Sequence, residues 1–249
     1  GGEYGYPLFN YYAPMPYYAG ELFYFFTGSF LTAAKLMFAF SFVGSYIFMF
    51  LLGRKLWGDW GGTMAGVFYS FAPYHALDFY VRGAMGEMWG LLWYPAIFWA
   101  LLRLYEQVRL KNVALFALFL GFLLTSHNLS TMLIAPSLGL LIVILLRVKS
   151  NKKLWIYIPI GLILGLMISA FYWLPAYVEK PLAHIDSTIG GYFGYTEHFK
   201  GIRKVILDNS WGYGGSFRDV PGGPKDDMSY QVGWVYLFLE ILILVRLME

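Results

Sequence analysis

Residues 113–146 read VALFALFLGFLLTSHNLSTMLIAPSLGLLIVILL, and this stretch decides the fold class. Arg109 and Lys111 stand before it, and Arg147, Lys149, Lys152 and Lys153 follow it. A hydrocarbon core of about 30 Å takes roughly 20 mostly apolar residues in helical form. Val113 to Thr125 and Leu129 to Leu146 are two such runs, folded into a hairpin around Ser126-His127-Asn128 and closed by basic residues at both outer ends.

The same pattern continues in both directions. Upstream lie Ser29 to Leu52, closed by Arg54 and Lys55, then Gly61 to Leu77, which is shorter and contains Pro73, then Met85 to Leu104, closed by Arg103, Arg109 and Lys111. Downstream lie Leu154 to Leu174 and Gln231 to Leu247. The expectation is an all-α, polytopic transmembrane helical bundle of about seven spans. Threading the spans alternately puts the basic groups on one side, which the positive-inside rule makes cytoplasmic. The expected organisation is an extracytoplasmic interfacial segment over 1–28, six spans over 29–174, an extracytoplasmic loop over 175–230 and a seventh span over 231–247. The chain opens without Met and stops just after an apolar segment, so it reads as an internal piece of a longer protein.

Composition agrees with a membrane protein. Of the 249 residues, 59 % are hydrophobic and only 13 % are charged, against about 25 % charge in a soluble domain. The absence of cysteine removes disulfide frameworks, thiolate metal sites and cysteine nucleophiles. A net charge of +3, spread in short groups, leaves no footprint for a nucleic acid. Oligomeric state is not legible, and no residue pattern indicates or excludes a divalent cation. Walker, Rossmann and His-Glu-x-x-His signatures are missing.

Ionisable residues near the end of a span need water, a partner or a ligand, which makes each a functional candidate. His75, Asp78, Arg82 and Glu87 form the richest cluster. At i, i+3 and i+7 the first three share a helix face, where Asp78 and Arg82 can pair. Gly83 and Gly86 are expected to break the helix, so that Glu87 begins the return span. Two readings stand side by side: the pair pins the turn at the interface, or Arg82 grips a phosphate with its fork of donors while Glu87 or Asp78 acts as base or ligand. His127 and Asn128 fall on the same side and are expected to border one outward cavity with Asp78, Arg82 and Glu87. Lys35, about one turn into the first span, can snorkel outward. Glu240 sits mid-span, as a hydrogen-bond anchor or part of an ion path. In the long loop, Thr196 is positioned to cap a short helix with Phe199, Ile202, Val205 and Ile206 on its apolar face.

Several motifs carry a family resemblance. Gly5-Tyr6-Pro7-Leu8-Phe9-Asn10-Tyr11-Tyr12-Ala13-Pro14-Met15-Pro16-Tyr17-Tyr18, Arg82-Gly83-Ala84-Met85-Gly86-Glu87, Ser126-His127-Asn128, Ser210-Trp211-Gly212-Tyr213-Gly214 and Met228-Ser229-Tyr230-Gln231-Val232-Gly233 occur in this order. The chain thereby resembles polytopic membrane proteins labelled as related to 6-pyruvoyl-tetrahydropterin synthase, and is similar to the YfhO-like proteins and to glycosyltransferases of the GT-C fold. That resemblance implies a polyprenyl-phosphate sugar donor, an acceptor outside the membrane, and a principal acidic motif upstream of Gly1; Glu3 and Glu21 do not match it. It casts Glu87 and Asp78 as catalytic candidates. Arg82, His75, His127, Asn128, Tyr11 and Lys35 become substrate-binding candidates, with Lys200, Arg203 and Lys204 as further phosphate partners. The alternatives are a transporter or lipid flippase, whose binding residues belong near the bilayer midplane, and a non-catalytic membrane assembly protein.

Overall fold

The computed structural model describes residues 8–148, 151–182, 198–207, 211–214 and 228–248. Among them there is no strand, and the helices are α1 (Leu8–Tyr11), α2 (Met15–Thr27), α3 (Phe30–Ser70), α4 (Pro73–Leu77), α5 (Met85–Glu106), α6 (Leu110–Ser126), α7 (Asn128–Val148), α8 (Leu154–Ile168), α9 (Ala170–Glu179), α10 (Ile202–Ile206) and α11 (Trp234–Met248). A π-helical turn, Asp78–Arg82, follows α4. The chain forms two compact units, one of residues 1–70 and 85–180, the other of residues 71–84 and 181–249.

In the first unit α5 is the central helix. Trp89, Leu92, Trp93, Ala96, Ile97, Ala100, Leu101 and Leu104 are buried along its length, against α6 residues such as Phe116 and Leu123. Lipid is as apolar as leucine, so packing between helices comes from close van der Waals contact more than from water exclusion. Small residues supply it. Gly161 and Gly165, four apart on α8, lie where an added Cβ would stand 2.6 Å from the Phe116 ring and 3.0 Å from the Ala117 carbonyl oxygen of α6. Helix α3 reverses at Gly58, whose φ of 75° lies in the left-handed region. Its two arms fold together through Gly53 and Gly62, the latter 2.7 Å from the Phe50 carbonyl at its would-be Cβ. Buried Ser41 and Ser45 return their hydroxyls to the carbonyls of Phe38 and Ser41 of their own helix, which satisfies them where water is absent.

The outward faces are apolar. On α7, Leu129, Leu133 and Leu140 are 61 %, 67 % and 63 % exposed, and α8 and α11 show the same with Trp155, Ile156, Phe238 and Ile241. Surfaces of this kind belong in lipid.

The structure is all-helical among the described residues and a bundle of seven spans is not confirmed. Among the described residues, two helical stretches suffice by length and apolarity to cross a membrane, Phe30–Arg82, which folds back on itself at Gly58, and Asn128–Val148, with a third if the pair α8 and α9, bent by 68°, is one span. The reasons are local. The stretch Gly61 to Leu77 is interrupted where Ala72, with ψ of 139°, leaves helical geometry before Pro73. Helix α6 has only 17 residues. The helix in the long loop is Ile202–Ile206 with Gly201 at its N-cap; Thr196, Glu3, Gly5 to Pro7 and Ser210 lie outside the described residues.

Candidate functional site

The second unit contains a polar cavity of ≈ 280 Å³, and two distant sequence motifs build it. Helix α4 begins at Pro73, whose missing N–H and fixed φ suit the first turn of a helix. The chain then widens into the π-helical turn and stops at Gly83, with φ of 57°. The Asp78 carbonyl closes that end by accepting from the backbone N–H of Gly83 and of Ala84. This turn presents Tyr74 and Arg82 to the cavity. The facing wall is Met228-Ser229-Tyr230-Gln231. Close approach is possible because Gly233, at φ 97°, has no Cβ to strike Pro73, which would stand 2.9 Å away.

Arg82 Nη1 donates to Asp78 Oδ1 at 2.6 Å and to the Tyr74 hydroxyl at 3.0 Å. Asp78 is fully buried, so its charge is held by the guanidinium and in turn fixes it. His75 is buried in the same turn at 2 % exposure. The Ser229 hydroxyl is also buried and has no hydrogen-bond partner among the described residues. Lys200 sits over the Tyr230 ring at 5.1 Å, so one of the three loop cations reaches a residue lining this cavity.

The first unit holds Glu87, His127, Asn128, Tyr11 and Lys35. Gly86 and Gly90 bring α5 against the Ser126-His127-Asn128 turn. A Cβ at Gly86 would stand 2.9 Å from the Ser126 carbonyl oxygen, and one at Gly90 would stand 2.7 Å from Ser130 Oγ. Gly86 is therefore a contact glycine inside α5, while Gly83 alone ends a helix. His127 is extended, with φ of −159°. Its Nδ1 accepts from the Ser130 backbone N–H at 3.2 Å and lies 2.7 Å from Ser130 Oγ, so the ring caps the first turn of α7. With Nδ1 accepting the amide proton, the neutral ring carries its hydrogen on Nε2.

Around this cap the polar groups are satisfied in sequence. Trp93 Nε1 donates to Ser126 Oγ at 3.1 Å, and the Tyr94 hydroxyl donates to the Ser130 carbonyl at 2.8 Å. The Tyr172 hydroxyl of α9 lies 2.9 Å from Asn128 Oδ1 and 3.1 Å from the Tyr11 carbonyl oxygen. Asn10 Nδ2 donates to Glu179. Two candidates, Tyr11 and Asn128, thus meet through Tyr172. Glu87 is half-buried near the start of α5, and Lys35 is exposed on α3. In the second unit Glu240 is exposed on α11.

Beside the start of α5, α2 and α3 enclose a largely apolar groove of ≈ 570 Å³ lined by Tyr17, Tyr18, Tyr24, Phe30, Met37 and Glu21. Burial, reinforced by the neighbouring Tyr12 phenol, pushes the Tyr17 hydroxyl pKa up, which keeps it neutral as a hydrogen-bonding group. Among the described residues no three His, Asp or Glu side chains gather as a metal site.

Sequence reasoning missed Tyr172, Tyr94, Ser130, Ser229 and Gln231 as parts of these clusters. Ser229 and Gln231 stood within a quoted motif, but their pairing with residues 73–82 is not local. Nothing near Tyr172 in sequence marks it.

The model of the family described as 6-pyruvoyl-tetrahydropterin synthase related domain, a membrane protein, matches residues 9–199. No curated protein and no solved structure matches the chain.

Proposed function

The chain belongs to the 6-pyruvoyl-tetrahydropterin synthase related family of membrane proteins, and from that premise we propose that it is an integral membrane glycosyltransferase of GT-C type. In this reading it transfers a sugar from a polyprenyl-phosphate-linked donor to an extracytoplasmic acceptor. The observation that carries the proposal is the Arg82 cavity. One buried carboxylate orients the guanidinium, and Tyr74, Ser229 and Gln231 line the same space with neutral polar groups. A cation held in fixed geometry among hydroxyls and an amide suits a sugar phosphate: Arg82 stabilises the leaving phosphate while the neutral groups bind sugar hydroxyls.

Asp78 is assigned the positioning of Arg82, because its charge is already given to that partner. The base that takes the proton from the acceptor hydroxyl is proposed to be Glu87. Its half-buried setting suits a carboxylate that must exchange protons.

The test is sugar transfer per folded molecule. Arg82→Lys keeps the charge and loses the fork, so donor binding is expected to weaken while folding persists. Glu87→Gln is expected to lower turnover by on the order of a hundredfold or more with donor binding kept. Normal specific activity in both variants would overturn the assignment.

The 68° bend between α8 and α9 favours a second reading as a transporter or flippase, because broken helices recur at transport sites. Reconstituted protein that moves a polyprenyl-phosphate sugar between leaflets without transferring the sugar would select that reading.

A further inference from the structure

The end of the first unit farthest from the His127 cap carries a second cavity, of ≈ 350 Å³, between α3, α5 and the start of α6. Arg54, Lys55, Trp99, Arg103, Glu106 and Asn112 line it. The three cations are differently engaged. Arg54 pairs with Asp59, both more than half exposed, and Lys55 pairs with Glu106. Arg103 lies over the Trp99 ring at 4.8 Å and takes part in none of the ion pairs among the described residues. Arg109 and Lys111 follow in the α5–α6 connection, so this end holds five basic residues against Asp59 and Glu106.

Asn112 adds an observation independent of charge. Its Nδ2 donates to the carbonyls of Arg103 at 3.1 Å and Gln107 at 2.7 Å, which fixes the orientation of the amide. Its Oδ1 then looks elsewhere. The residue is 1 % exposed, and that oxygen has no hydrogen-bond partner among the described residues. A buried acceptor without a donor is costly, and a ligand hydroxyl would relieve it. Directly after the lining residues Arg54 and Lys55 in the chain, Leu56, Trp57 and Trp60 are 51 %, 65 % and 77 % exposed, residue types that form the aromatic and apolar collar of a membrane interface.

We propose that this cavity binds the headgroup of an anionic glycerophospholipid. Its phosphate sits at Arg103 beside Lys55, and a headgroup hydroxyl donates to Asn112 Oδ1. The acyl chains run past the Leu56–Trp57 collar into the bilayer. A phosphate and a hydroxyl on one small headgroup match the unpaired cation and the unpaired acceptor together. The collar distinguishes a lipid from a free phosphate.

The full chain in zwitterionic detergent, titrated with phosphatidylglycerol or with phosphatidylcholine and read by native mass spectrometry, tests this. The parent is expected to retain phosphatidylglycerol in preference. Arg103→Gln is expected to lose about fivefold or more in that affinity, with phosphatidylcholine binding unchanged. Glycerol 3-phosphate is expected not to compete. Equal retention of the two lipids, parental affinity in Arg103→Gln, or competition by glycerol 3-phosphate would each overturn the proposal. Should Arg103→Gln fail to fold, Lys55→Gln is measured in the same titration, and a loss of at least twofold is required of it.

Discussion

Two glycines three residues apart show what a single residue does here. Gly83 has φ of 57° and ends the π-helical turn, whereas Gly86 is helical and lies under the Ser126 carbonyl. In the sequence both read as helix breakers, because either role requires only the absence of a Cβ. A methyl at Gly86 has backbone to displace, so Gly86→Ala is expected to cost about 1–3 kcal/mol, read as a lower melting temperature in detergent. His127 was legible as a polar residue in an apolar hairpin, but its cap was not, since the ring's acceptor role appears only once Ser130 N–H is placed against it. Cap and ligand roles separate by substitution. His127→Ala is expected to lose about 1 kcal/mol through the cap, and His127→Asn, with a good capping side chain, to recover most of it. If stability recovers in His127→Asn while sugar transfer stays low, the ring also touches substrate. Recovery of both makes it a cap alone.

At the scale of elements, apolar runs and basic punctuation were enough to locate α5, α6 and α7 to within a few residues, and the start of α8. They could not give the number of crossings, because that depends on where helices break. Pro73 stands at one break and Gly58 at another, but the bend at Ser169, with φ of −91° and ψ of 0°, has no Pro or Gly at its apex. The α6–α8 seam makes a graded prediction. Gly165→Ala drives a methyl toward a backbone oxygen and is expected to destabilise more than Gly161→Ala, whose obstacle is a ring edge that can shift. Gly139 on α7 has nothing within 4 Å of its would-be Cβ. Gly139→Ala is therefore expected to leave the melting temperature unchanged or slightly higher. Equal effects at all three positions would mean that the seam does not hold α6 to α8.

At the scale of the molecule, the Arg82 turn and the end of the long loop at Met228–Tyr230, both expected on the outward side, fold into one unit. Contacts between residues some 150 positions apart leave no trace in local periodicity, so which loop residues meet Tyr74 and Arg82 was not legible. The sidedness of the membrane rests on charge alone, and the first unit allows a clean test of it. Helix α5 runs from the His127 cap at one end to the basic cavity at the other, so a residue near each end reports on opposite faces. Tyr12, 51 % exposed beside α1, is proposed to be extracytoplasmic, and Gln107, exposed just after α5, cytoplasmic. The chain has no cysteine, so Tyr12→Cys and Gln107→Cys each introduce a single reporter. In intact cells an impermeant thiol reagent is expected to label Tyr12→Cys only, and after the membrane is opened both. Labelling of Gln107→Cys in intact cells would invert the topology. The basic cavity would then face outward, and the Glu87 end would lie in the cytoplasm, where the proposed extracytoplasmic acceptor could not reach it.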